Sequence, residues 1–201
     1  MLLTHLVPGY FLAQSAQTRY PTEVRRWRRG LMWATAFTFT VLPDSDVIYN
    51  IVWRGFANHS WLWTHSLFGY LGLLALGMGL RGLRRLPFCS LPLMLAGGAG
   101  LSHLLLDVIA HGTPLFYPFS RAMIGFPPPR VVEGGLWAYL TDPIFLLEPL
   151  LFGLAALHWL VRKAMPRRRK RIALATLSIM LLLVFISYWA WLPVLQNWAA
   201  A

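Results

Sequence analysis

Cysteine is almost missing from this chain. The one thiol, Cys89, sits inside an apolar run, which excludes a disulfide framework and a cysteine-based zinc site. Acidic residues are nearly as scarce: there are seven among 201 residues, and charged residues of both signs make up only 12%. A soluble domain carries about 25% charged residues, so a solvated surface of the ordinary kind is not available. No internal repeat and no low-complexity tail are seen. The first residues lack a basic stretch ahead of the apolar ones, so no cleavable signal peptide is expected.

What is abundant is apolar side chain: 57% of residues are hydrophobic, with a mean hydropathy of +0.55. Several runs approach the ~20 residues that cross a bilayer. The expectation is an all-α, multi-pass transmembrane helical bundle, forming one membrane-embedded domain over residues 1–201. Six helices are expected over residues 1–18, 30–42, 66–80, 87–110, 136–161 and 172–194. Pro8 and Gly9 should bend or loosen the first. A partly buried connecting segment is expected over 47–59 and a proline-rich loop over 111–135. Gly69, Gly72, Gly77 and Gly79, and then Gly97, Gly98 and Gly100, suit close helix contact.

A formal charge of +11 invites a nucleic-acid reading. The distribution argues against it. Basic clusters at 19–29, 81–85 and 162–171 lie between apolar runs, as topology signals do. Helices alternating between them put all three clusters on the cytoplasmic side. His5, Asp44, Asp46, His59, His65, His103, Asp107, His111 and Asp142 then fall on the outer side. With Glu133, that side holds five of the seven acidic residues. Carboxylates beside hydrocarbon and far from the cations are expensive, and a divalent cation would neutralise them.

The densest polar stretch runs from Ser102 to Gly112. His103, Asp107 and His111 are spaced i, i+4, i+8, one stripe along a helix. Imidazole and carboxylate at that spacing can share an ion, and suit zinc or another first-row divalent metal better than calcium. The plainer alternative is a polar stripe hydrogen-bonded to neighbouring helices. Ser66 and Ser102 read as packing or hydrogen-bonding residues, since no His-Asp relay singles them out. Arg121 and Arg130 stand on the outer side against the charge bias, as phosphate ligands or as solvated loop residues. The Trp and Tyr residues at 61, 63, 137, 139, 188, 189 and 191 read as interfacial aromatics.

Four motifs occur in order: Pro43-Asp44-Ser45-Asp46, Thr64-His65-Ser66, Ser102-His103-Leu104-Leu105-Leu106-Asp107, and Gly112 followed by Tyr117-Pro118-Phe119-Ser120. With Thr4-His5 and Gly9 they resemble the membrane-bound metal-dependent hydrolases of the LexA-regulated inner-membrane type, over roughly residues 1–145. One departure is that His59 is followed by Ser60, where that family has a His-Arg pair, and its gap to His65 is one residue longer. The ligand order is also similar, more distantly, to that of the all-helical zinc-dependent phospholipases C. That likeness implies a metal set of His5, Asp46, His65, His103 and Asp107, with Asp107 able to bridge two ions. The later H-x-x-x-E of those enzymes is missing, and His111 and Asp142 are the substitutes.

These readings together point to a metal-dependent hydrolase in the inner (cytoplasmic) membrane, acting on a phosphoester in a lipid or lipid-linked substrate. The expected cofactor is a divalent metal, zinc first. Asp44, Asp46 or Asp107 would act as base. Membrane lipids are the expected partners, and nucleic acid is not. The rival is a metal-ion or proton-coupled transporter using the same His/Asp cluster, which would need polar residues leading inward. A third role, a metal that merely staples the helices, is also open.

Overall fold

The computed structural model describes residues 4–19, 26–54, 62–83, 87–110, 112–125 and 147–199. Every regular element among them is helical. The helices are α1 (Leu6–Arg19), α2 (Arg26–Val41), α3 (Ser45–Arg54), α4 (Leu67–Gly82), α5 (Pro87–Ala110), α6 (Leu147–Arg162) and α7 (Arg167–Ala199). Two 3-10 turns, Leu42–Asp44 and Leu62–His65, precede α3 and α4. The only β-type pairing among the described residues is an isolated antiparallel bridge between Thr113 and Ile124.

One compact unit spans Leu2–Gly135 and holds α1 to α5. Within it α4 lies along α5, α2 lies on α5 and α1, and α1 also touches α5. In the second unit α6 packs against α7, and Leu181 occupies the space that a Cβ on Gly153 would need.

The α4–α5 pair shows how the sequence sets the packing. Tyr70, Leu74 and Gly77 recur at i, i+4, i+7 on α4, and Ser90, Met94 and Gly97 recur the same way on α5. A Cβ on Gly97 would lie 2.6 Å from the backbone N of Leu74 and from the Tyr70 carbonyl oxygen. One on Gly77 would lie 2.8 Å from Met94 and from the Ser90 carbonyl oxygen. Glycine is what lets the two backbones approach this closely. Gly69, Gly72 and Gly79 correct the expectation: nothing lies within 4 Å of a Cβ there, so they face outward.

Other boundaries differ as well. The first helix starts at Leu6, with Pro8 in its opening turn, where a missing N–H costs nothing. The expected connecting segment is a true helix over Ser45–Arg54. The 162–171 basic run enters α7 at Arg167 instead of preceding the helix. Residues 126–146, which cover parts of the expected loop and of the expected fifth helix, lie outside the described residues.

Burial is inverted relative to a water-soluble fold. The buried apolar residues are mostly small: Ala13, Ala16, Ala36, Ala96, Ala99 and Ala110 are among them. Buried with them are Thr4, His5, Thr40, Asp44, Asp46, Asn50, Thr64, His65, His103 and Asp107. Large apolar side chains point outward instead: Leu71, Leu76 and Met78 on α4, Leu105 and Ile109 on α5, Leu182, Leu183 and Phe185 on α7. Water would penalise such a surface, whereas hydrocarbon does not. One helix among the described residues, Cys89–Ala110, is both long and apolar enough to cross a membrane.

Candidate metal centre

Four helices bring their ends to one place. His5 lies in the turn just before α1. Asp44 closes the 3-10 turn after α2, and His65 closes the one before α4. His103 and Asp107 occupy the last two turns of α5, one helical repeat apart. The opposite ends of the same helices are basic: α1 finishes at Arg19, α2 opens at Arg26, and α4 has Arg81 in its last turn. The separation of carboxylates from cations is therefore built into the order of the helices.

The five side chains are closed off from solvent, with exposure of 0–4%. His103 Nε2 stands 3.0 Å from Asp107 Oδ2 and 3.5 Å from Asp44 Oδ1. His65 Nε2 is 3.6 Å from Asp107 Oδ2 and 4.0 Å from Asp44 Oδ1. His5 Nε2 is 3.3 Å from Asp107 Oδ1, and its Nδ1 is 3.0 Å from Asp44 Oδ2. The His5 and His103 rings lie 3.8 Å apart between centroids. Two overlapping sets, His5–His103–Asp107 and Asp44–His65–His103, each offer three ligand atoms within 4.8 Å of one another.

The outward-facing nitrogens define the tautomers. His103 Nδ1 is 2.8 Å from the Thr40 carbonyl oxygen, which only accepts, so Nδ1 carries the proton. Thr64 Oγ1 donates to the Pro43 carbonyl oxygen at 3.1 Å, which spends its only hydrogen. It therefore accepts from His65 Nδ1 at 3.0 Å. The His5 Nδ1 proton is taken by Asp44 in the same way. All three imidazoles thus direct Nε2 toward the carboxylates, and neither His5 Nε2 nor His103 Nε2 has a hydrogen bond among the described residues. A lone pair aimed at a carboxylate oxygen is repulsive unless a cation or proton lies between them. Protons on two of the rings would balance the two carboxylates. One divalent ion matches the two carboxylates and leaves the rings neutral. The donor set, three nitrogens and carboxylate oxygens, suits zinc or a neighbouring first-row metal.

Asp46 is fully buried two residues beyond Asp44, but it belongs to neither of these sets. The Pro43-Asp44-Ser45-Asp46 turn delivers its first carboxylate to the cluster and keeps the second in the opening turn of α3. His59, His111, Glu133 and Asp142 lie outside the described residues. Ser66 donates to the Tyr117 carbonyl oxygen at 2.6 Å and Ser102 to that of Ala99 at 2.7 Å, as hydrogen-bonding residues do.

Sequence reasoning passed over the residues that hold the ligands in place. Thr40 and Thr64 fix His103 and His65, and Tyr70 donates to the Thr64 carbonyl oxygen at 2.8 Å. The Tyr70 ring fills the space a Gly100 side chain would take. A buried tyrosine inside the apolar run after His65, and a threonine directly before it, were the available signals. Replacing Thr64 by valine keeps the shape and removes the acceptor for His65. The expected result is a metal affinity lower by about 10–100-fold, read by competition with a chelating dye and restored by Thr64→Ser.

A family model described as YdjM inner membrane protein matches residues 1–194. That description carries the inner membrane and says nothing of hydrolysis or of phospholipase C. No curated protein and no solved structure matches the chain.

Proposed function

The chain belongs to the YdjM inner membrane protein family, and from that premise we propose a multi-pass, membrane-embedded, metal-dependent hydrolase acting on a phosphoester of a lipid or lipid-linked substrate. The observation that carries the reading is the convergence of three imidazoles and two carboxylates in one closed space. His5, Asp44, His65, His103 and Asp107 would hold the ion. A divalent metal so held supplies a water of lowered pKa and stabilises charge on a phosphoryl oxygen. Asp44 and Asp107 each offer two oxygens, so one can accept the proton of the attacking water while the rest of the set stays in place. Thr40 and Thr64 keep the rings oriented.

Several further spans follow from composition: residues 173–192 are as apolar as the Cys89–Ala110 helix and carry no charge. By the positive-inside rule the basic helix ends face the cytoplasm and the His/Asp cluster faces outward. Substrate would then be met at the outer leaflet.

The carrier reading is weaker. A transport route needs polar groups leading from the cluster toward the basic ends. Along that direction the buried side chains of α1, α2 and α5 include Ala13, Ala16, Met32, Ala36, Leu95 and Ala99, with Ser90 the one buried polar side chain among the described residues there. This apolar plug favours chemistry at the outer end over passage through the unit.

The test is turnover of phospholipid in detergent micelles. Headgroup release that stops on chelation, returns with zinc and is lost in His103→Ala is the expected result. Metal bound with no turnover, together with metal uptake into vesicles, would replace the hydrolase with the carrier.

A further inference from the structure

At the same end of the α1–α5 unit, the segment after α5 is tied to α4 and α5, two of the four helices whose ends form the candidate metal centre. Gly112, at φ 84°, donates its N–H to the Asp107 carbonyl oxygen at 2.8 Å and turns the chain out of α5. Thr113 and Ile124 then exchange both backbone hydrogen bonds at 2.9 Å. Leu67 N–H, two residues beyond His65, donates to the Leu115 carbonyl oxygen at 2.9 Å. Ser66 adds its bond to Tyr117. The loop between the bridged residues is therefore held in shape at its base.

Its tip is apolar and faces outward. Phe119 is 83% exposed, and Phe116 and Met123 are exposed as well. Phe119 sets its edge against Phe68 of α4 at 5.3 Å between centroids, and Phe116 lies 6.4 Å from the same ring. Phe68 begins the outward apolar face of α4 that continues through Leu71 and Leu76. Trp63, 63% exposed, stands in the turn before α4. Arg121, also exposed, is the one cation of this loop among the described residues.

We propose that Phe116, Phe119 and Met123, with Phe68, form a lipid-docking surface seated in the headgroup and acyl boundary of the outer leaflet. Three observations select lipid as the occupant. The patch is continuous with the apolar face of α4, so a bilayer covering one covers the other. Exposed Trp63 is a residue type enriched at that depth, and exposed phenylalanines are among those that insert into the headgroup and acyl boundary. Arg121 adds a fixed positive charge at the level of lipid phosphates. The consequence concerns the metal site. Because the loop is bonded within two residues of His65 and to Asp107 itself, its seating sets the depth of the cluster at the level of phosphate groups.

Site-directed spin labelling tests this. In a Cys89→Ser background, Phe119→Cys is labelled in vesicles of phosphatidylethanolamine and phosphatidylglycerol, with Leu76→Cys as reference for α4. Collisions with oxygen are compared with those with a water-soluble nickel chelate. The expected result is oxygen exceeding nickel at both positions, less so at 119. Nickel dominating at 119 but not at 76 overturns the docking surface and leaves the membrane reading standing. Nickel dominating at both overturns both readings. Protection from both reagents at 119 also overturns the proposal, and assigns the patch to a second copy of the chain. Should the label at 119 unfold the protein, Met123→Cys gives the same readout.

Discussion

Asp107→Ala is expected to leave the purified protein unable to retain metal, with a fall in affinity of more than ~100-fold, beyond what loss of an orienting group produces. The Asp107 carboxylate reaches the Nε2 atom of all three imidazoles, through Oδ1 to His5 and Oδ2 to His65 and His103, whereas Asp44 meets His5 through Nδ1 and stands farther from His65 and His103. Removing Asp107 takes away half the negative charge of the Asp44–Asp107 pair and leaves the three Nε2 lone pairs without the carboxylate that would share an ion with them. Elemental analysis checks the metal, and circular dichroism checks the helices. Asp107 lies one turn inside the end of α5, away in sequence from the close backbone approaches at Gly97 and Gly77, so helix content should persist. Metal retained at the wild-type level in a folded Asp107→Ala protein would remove the basis for the proposed centre, and with it the hydrolase.

Gly97→Ala should be among the most damaging single-methyl changes in the α1–α5 unit. The added carbon would meet the Leu74 N and the Tyr70 carbonyl oxygen, both backbone atoms, at 2.6 Å. Backbone cannot rotate aside as a side chain does, so α4 and α5 must separate. A loss of about 1–3 kcal/mol or more is expected, measured as a lower midpoint in dodecyl sulfate unfolding of the detergent-solubilised protein. Displacing Tyr70 also disturbs its bond to Thr64 and, through Thr64, the orientation of His65. Metal affinity should therefore fall together with stability. Gly72→Ala on the outward face of α4 is the control. Nothing lies within 4 Å of its Cβ, and alanine is the better helix former by about 1 kcal/mol. Equal effects of the two substitutions would contradict the α4–α5 packing.

The two predictions share one feature of the chain. The His/Asp cluster depends on α5 carrying His103 and Asp107 at its end while its middle lies against α4. The glycines that allow the approach and the polar residues that use it are on the same helix, so a defect in packing is felt as a defect in the site.

How much of this was legible beforehand follows from the physics of each feature. Composition determined the helical class, because a chain 57% hydrophobic and 12% charged must satisfy its backbone internally. Position along the apolar runs pointed to His5, Asp44, His65, His103 and Asp107 at one end of their helices and to Arg19, Arg26 and Arg81 at the other, as the described residues have them. Local spacing paired His103 with Asp107, since i and i+4 share a helix face whatever surrounds the helix. Tertiary structure decided the rest. Asp44 and Asp46 are equivalent as a sequence motif, and only the tertiary structure shows Asp44 within 3.0–4.0 Å of all three imidazoles. Gly72 and Gly97 are likewise equivalent in composition, and only the rotation of α4 about its axis turns one outward while α5 presses the other against a backbone. Thr40 and Thr64 became orienting groups through bonds that join residues 63 and 21 positions apart. A contact between distant segments depends on how helices are rotated and docked against one another, and that is a property of the assembled fold that periodicity along the chain does not encode.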